Sequence, residues 1–338
     1  MNRLVLSACA AAAALACIPA SAQTVLTAST WLQPTHAMSL AQKEWCDLLE
    51  KNTTGKMKCN ILPRMVSNPP GTYDAIKNGL ADLSFTVHGY TPGRFSFQKV
   101  AELSFLGDSA EASSVAYDRI GRKHPQILQE HQGVHVITLF THGPGMLMNT
   151  KRAVTKSDEL QGLKWRVGGG YVNDMTKVLG MNATLKPATE NYELLSGGVM
   201  DGTLLPAESM ESFRLDKLIK HVTIFPGGLY NTSFVMMMNQ ARYDKLTADE
   251  KKAVGAISGE VAARILGRHW DKADRRALAL MQANNIQVTK PDANFIKDVK
   301  AKTQSLEEQW ARDAEAKGLK NAAKVLTEFR AEIGKVAK

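Results

Sequence analysis

From residue 25 onward, stretches with the period of a strand alternate with stretches with the period of a helix, and the connections between them are short. Residues 25–28 read as a strand, 39–51 place Leu40, Trp45, Leu48 and Leu49 at helical spacing, and 57–62 read as a strand stopped by Pro63. The order continues as helix 73–78, strand 83–87, helix 109–129 and strand 134–140. A chain written this way predicts α/β units whose sheets are largely parallel, because each strand is followed by a helix that must carry the chain back across the sheet.

One unit occurs twice. Tyr73, Ile76, Gly79, Leu80 and Asp82 are matched in type and spacing by Tyr192, Leu195, Gly198, Val199 and Asp201. In each, a short helix runs into a glycine able to take a left-handed cap, and an acidic residue then opens a strand. The echo predicts two similar lobes. Further along, Thr247 and Glu250 form a capping box opening a helical pattern towards Gln282, with Val254, Ile257, Val261, Ile265, Leu266 and Leu278 as its apolar stripe. At ~1.5 Å per residue such a helix would reach about 50 Å, enough to brace both lobes. Two helices, 292–317 and 322–336, are expected to end the chain.

The first residues have a different character. Arg3 precedes an almost wholly apolar run, 4–18, followed by Ala20, Ser21 and Ala22. That is the pattern of an export leader cut after Ala22, and the run is shorter than the roughly 20 residues a membrane span needs. The residues before Cys17 fit a lipidation site poorly. No later stretch is apolar enough to span, so the mature chain is expected in the periplasm and not itself membrane-spanning. A chain of 338 residues less this leader matches two domains at the usual ~100–200 residues each. Export leaves Cys46 and Cys59, an even pair in an oxidising compartment, which predicts a disulfide, with two buried thiols as the alternative. The net charge of +9 is spread along the chain and mixed with acids, without the basic blocks or aromatic ladders of nucleic-acid binding.

Motifs for chemistry are sparse. There is no G-x-S-x-G elbow, no H-E-x-x-H and no paired C-x-x-C. His131 and His135 have i, i+4 spacing, but Gly133 between them argues for a helix end and not for a metal site. Gly168, Gly169 and Gly170 follow a strand, yet Asn173 stands where a dinucleotide motif would need its last glycine, so no cofactor is expected. Arg166 lies at the carboxyl end of a strand, where open α/β sheets bind ligands, and its planar fork suits a carboxylate. After other strands come His36, which lines the cleft or caps the next helix; His88 and Tyr90, flanking a glycine; and Glu208, which accepts a ligand hydroxyl or caps a helix.

Taken in order, Leu160 to Val167 with its Gly162, Leu163, Lys164 and Arg166, then Leu195 to Gly202, then Ser233 to Asn239 ahead of Tyr243 to Leu246, resemble the substrate-binding subunits of TRAP transporters of the DctP type. The resemblance spans nearly all of the mature chain. It implies a two-lobe fold of the type II periplasmic-binding kind, closing on a small organic carboxylate that is handed to membrane permease subunits. It divides the chain into residues 23–145 with 236–270 as one lobe and 146–235 with 271–338 as the other. It implies Arg166 as the carboxylate anchor and polar contacts at Tyr230 and Asn231. Where sialic-acid binders of the family carry a second arginine, this chain has Gly145, which points to a compact monocarboxylate, a 2-hydroxy or 2-keto acid or an aromatic acid. A monomer without enzymatic activity is expected. The competing readings are an exported enzyme acting on organic acids with His88 or Glu208 as base, and a binding protein of an ABC transporter.

Overall fold

The computed structural model describes residues 23–337, so the expected leader and its cleavage site lie outside the described residues. In chain order the strands are β1 (Thr24–Ala28), β2 (Met57–Ile61), β3 (Leu83–Val87), β4 (Val134–Thr141), β5 (Met146–Asn149), β6 (Lys164–Val167), β7 (Asn182–Leu185), β8 (Gly202–Leu205), β9 (His221–Thr223), β10 (Ser233–Asn239) and β11 (Gln287–Thr289). They form two sheets, ordered β2-β1-β3-β10-β4 and β11-β9-β5-β8-β6-β7. Both sheets are mixed and not largely parallel as the alternation suggests. β10 runs antiparallel to β3 and β4, and β5 runs antiparallel to β8 and β9. These are the strands by which the chain enters one sheet directly from the other. No helical crossover within the sheet precedes them, and it is that crossover which makes neighbouring strands parallel.

The repeated unit occupies equivalent places in the two sheets. Helices Thr72–Lys77 and Asn191–Ser196 are each followed by a glycine at positive φ, Gly79 at 77° and Gly198 at 67°. The acid after each then makes the same double link to the neighbouring strand. Asp82 accepts from the Thr27 N–H at 2.7 Å while its own N–H donates to Thr27 O at 2.9 Å. Asp201 accepts from the Lys164 N–H at 2.9 Å while its N–H donates to Lys164 O at 2.8 Å. The recurrence in sequence is therefore a recurrence of one sheet-building device.

Strands covered on both faces read as unbroken apolar runs, and their side chains separate by period two. Phe234, Met236 and Met238 of β10 enter the core shared with Trp45 and Leu266, while Val235 and Met237 enter the opposite one with Tyr117 and Phe329. In the second sheet Leu147 and Leu204 face that latter core, and Met146, Met148 and Leu205 face a third.

The single long helix expected to run towards Gln282 is two helices, Ala248–Ala256 and Glu260–Ala283, parted at Ile257, Ser258 and Gly259. The break rotates the stripe, so Val261 and Leu278, expected inside, are both exposed, and Trp270, Ala273 and Ala277 are buried instead. The second helix still joins the lobes. Its first half packs on the helices Ala37–Asn52 and Ala110–Lys123, its second half on β11 and the turn Ser209–Ser212. The expected helix 109–129 also divides, at His124, because Pro125 opens a new helix and forces the residue before it out of helical geometry. At the chain end, helix Ala322–Val336 packs on Ala110–Lys123 through Tyr117 and Phe329, and Arg119 pairs with Glu332. The grouping of all of 271–338 with the second lobe does not describe the contacts of this helix. The switch into β10 likewise falls before Ser233 and not at 236.

Cys46, on the helix Ala37–Asn52, is bonded to Cys59 of β2, clipping the outermost strand of the first sheet to its covering helix across 13 residues of sequence. A closed loop of that size contributes about 3 kcal/mol through the entropy it removes from the unfolded chain. Cys46→Ser with Cys59→Ser is expected to lower the unfolding free energy by about that amount in urea titrations, and an unchanged midpoint would argue that the bond does not form in solution.

Candidate functional site

Arg166 is the third residue of β6, in a strand paired on both sides, and only 1% of its surface reaches solvent. Its Nε and Nη2 donate to the carbonyl of Lys186 at 2.8 and 2.5 Å, which orients the fork and leaves donor hydrogens on the other side. Among the described residues no carboxylate lies within ion-pair distance of it. Burial lowers its pKa, against the pull of Tyr90 and Tyr230 beside it. A guanidinium remains protonated even so, and a buried cation without a counter-charge is costly.

Arg166 opens onto a cavity of about 50 Å³ whose wall is mostly rings, with Trp31, Tyr90, Phe213, Tyr230, Phe234 and Trp270 among its lining. Both sheets contribute. Trp31 follows β1 and sits edge-on to Tyr90, with centroids 6.0 Å apart. The Tyr90 hydroxyl, from the first lobe, accepts the Ala188 N–H of the second at 2.9 Å. Nearby the lobes meet backbone to backbone. A side chain at Gly89 would stand 2.7 Å from the Gly169 carbonyl, and one at Gly169 only 2.4 Å from the Gly89 oxygen. Glu102 holds the same seam, accepting from Ser233 Oγ at 2.6 Å and from the Tyr171 N–H at 2.7 Å. Burial raises its pKa in spite of those bonds.

His36 does both things open to it. Its Nδ1 caps the helix Ala37–Asn52 by accepting from Met38 N–H at 3.1 Å, and its Nε2 stands 3.5 Å from Glu208 at the cavity wall. Glu208 makes no side-chain cap; its carboxylate faces His36 and accepts from Ser209 Oγ at 3.2 Å. Burial would raise the Glu208 pKa, but His36 and the hydroxyl hold it below the usual carboxylate range.

Three of the candidate residues lie elsewhere. His88 does not reach the cavity. The turn His88–Tyr90 sends Tyr90 into it and His88 the other way, where its ring nitrogens meet Ser233 Oγ at 2.9 Å and His131 Nε2 at 2.8 Å. His131 is thereby occupied, and His135 stacks on Tyr243 at 3.5 Å. Among the described residues there is no metal-ligand cluster. Gly145 lines nothing; it seats Tyr230, whose ring would be 2.2 Å from any Cβ there, so an arginine at that position is incompatible with Tyr230. Asn231 ties the crossing segments together. With its amide nitrogen directed at the carbonyls of Gly143 and His142, at 2.9 and 3.2 Å, it is satisfied, and Thr232 is the residue that lines the cavity.

The sequence reading missed Trp31, His142 and Trp270. Trp31 and His142 directly follow β1 and β4, so the rule that pointed to His36 and His88 applies equally to them. Trp270 carried no signal, since on a helical stripe it is indistinguishable from core.

A family model described as DctP, bacterial extracellular solute-binding protein family 7, matches residues 28–313. Among solved structures, the chain is similar to a TRAP periplasmic solute-binding protein from Bordetella bronchiseptica with bound (R)- and (S)-mandelate, at 39% identity and a TM-score of 0.90 over 93% of this chain and 99% of that one. A marine metagenome TRAP protein specific for aromatic acid ligands, in complex with 3-hydroxybenzoate, gives 29% and 0.86 over 94% and 99%. A Rhodoferax ferrireducens TRAP protein in complex with copurified benzoate gives 29% and 0.86 over 94% and 100%.

Behind the cavity wall, Asp274 of the long helix accepts the Glu208 N–H at 2.7 Å through Oδ1, and its Oδ2 has no partner among the described residues. Burial raises its pKa well above the ordinary carboxylate value, and the charges of Glu208 and Asp271 add to that. A carboxyl that binds its proton more tightly folded than unfolded contributes stability fully below the unfolded pKa and loses it as pH rises towards the folded one. Asp274→Asn removes that dependence. Relative to the parent, the variant is expected to gain stability with rising pH from ~4, by up to about 1.4 kcal/mol per pH unit, in urea unfolding across that range. Parallel curves would place the charged form of Asp274 in the folded protein.

Proposed function

The chain belongs to the DctP family of bacterial extracellular solute-binding proteins, and from that premise we propose that it is the periplasmic binding subunit of a TRAP transporter for a compact monocarboxylate, an aromatic acid above all, held by Arg166. The observation that carries the proposal is a fully buried guanidinium, free of any carboxylate partner among the described residues, on the wall of a ring-lined cavity between two lobes. A ligand carboxylate supplies the missing charge through two parallel hydrogen bonds, in a site where water competes little. The Tyr90 and Tyr230 rings flank the fork, and the remaining rings offer flat apolar surface to an aromatic body.

Charge favours the same class. Tyr230 occupies the space a second arginine would need, so one carboxylate is matched. Relatives at 29–39% identity hold mandelate, 3-hydroxybenzoate and benzoate. Of the two residues an enzymatic reading would use as base, His88 is outside the cavity and Glu208 is engaged by His36 at 3.5 Å. The protein then works by capture. Residues 23–145 with 233–270 move against 146–232 with 271–321, the cleft closes on the acid, and the closed form is presented to the membrane permease subunits. Among the described residues no helix is long and apolar enough to cross a membrane. Export would follow from cleavage after Ala22.

In a thermal-shift panel of organic acids, aromatic monocarboxylates at about 100 times their Kd are expected to add about 2.7 kcal/mol of stability. Arg166→Ala is expected to weaken binding by about 2–5 kcal/mol in calorimetry, since the anion is left buried and unpaired. Arg166→Lys should recover only part, having charge without the fork. Retained affinity in Arg166→Ala overturns the anchor. Gly89→Ala places a methyl against the Gly169 carbonyl and is expected to reduce affinity at least tenfold, with less compaction on ligand addition in small-angle scattering; parent-like compaction would show that the lobes do not meet there.

A further inference from the structure

Two polar groups on the cavity wall are left over once its hydrogen bonds are assigned. His142, in the segment crossing from β4 to β5, and Trp270, on the long helix, both line the cavity, are each about 96% buried, and have ring centroids 5.8 Å apart. Among the described residues, His142 Nε2 and Trp270 Nε1 are without hydrogen-bond partners. Their chemistry is opposite. The Nδ1 of His142 donates to the carbonyl of Gly143, which leaves a bare lone pair on Nε2. Burial depresses this imidazole to about 4, so the lone pair persists at neutral pH. The indole N–H of Trp270 can only donate. A buried acceptor and a buried donor on touching rings are satisfied together by one hydroxyl, which donates to the first and accepts from the second. Tyr230 connects this end of the cavity to Arg166: its ring meets His142 edge-on at 5.4 Å, and it lines the same cavity as the guanidinium.

We propose that His142 and Trp270 form a hydroxyl-recognising subsite, so that the preferred ligand is an aromatic monocarboxylate carrying a hydroxyl on its ring or on the carbon next to its carboxylate. This rests on the carboxylate reading of the site. An acid lacking the hydroxyl strands both desolvated groups, and a site built to bond a hydroxyl rejects the analogue without it far more strongly than an apolar wall rejects an extra atom.

The test is calorimetry on the mature full-length protein with matched pairs, benzoate against 3-hydroxybenzoate and phenylacetate against mandelate. The parent is expected to bind the hydroxylated member of at least one pair tenfold or more tighter. In His142→Phe and in Trp270→Phe that ratio is expected to fall to within about threefold. Because the ratio is taken within one protein, a general loss of folded protein scales both members alike and leaves it unchanged. Equal affinity for both members of both pairs in the parent overturns the subsite without any variant, and so does a ratio preserved in the two substitutions while Arg166→Ala abolishes binding. If the parent binds no carboxylate at all, the anchor reading falls and the subsite with it.

Discussion

A guanidinium held out of water, with no carboxylate within ion-pair distance among the described residues, is the constraint around which the middle of this protein is arranged. Its cost is met in part by the Lys186 carbonyl, which takes two of its donors and fixes the plane of the fork. The rest falls to whatever anion enters. The fold carries this group where its apolar cores meet: of the cavity lining, Trp31, Tyr90, Phe234 and Trp270 belong to one core, Tyr230 and Leu204 to a second and Leu205 to a third.

The seam between the lobes shows how the site can be shut without being sealed permanently. Gly89 and Gly169 meet through backbone alone, and the links around them are few and polar: the Tyr90 hydroxyl to Ala188, Glu102 to Tyr171 and Lys99 to Asp174. The long helix, by contrast, belongs to the core of one lobe at its start and to that of the other at its end, through Leu266 and Met281. Any motion must bend about it or about the two crossing segments beside Asn231, whose amide holds them together.

Much of this was legible from residue order, for reasons that are local. Strand and helix periods, the glycine caps of the doubled unit, the capping box at Thr247 and the even pair of cysteines each depend on neighbours within a few positions. Direction of pairing does not. β5 and β10 read as ordinary buried strands, and only the path of the chain between sheets makes them antiparallel. The same applies to side-chain aim. His88 and Tyr90 are two residues apart on one tight turn and end on opposite sides of it, a difference of backbone angles that composition does not encode.

What the sequence by itself determined was the class of fold, the export-type start, the candidate pair for a disulfide and the arginine worth following, because periodicity, charge and motif order are properties of the chain in one dimension. Only the tertiary structure decided that Arg166 has no acid within ion-pair distance among the described residues, that Gly145 makes room for a tyrosine, and that His142 and Trp270 arrive at one wall from segments more than a hundred residues apart. Those are matters of which surfaces meet when three separate stretches of chain cross between two sheets. Burial and hydrogen-bond satisfaction exist only once they have met.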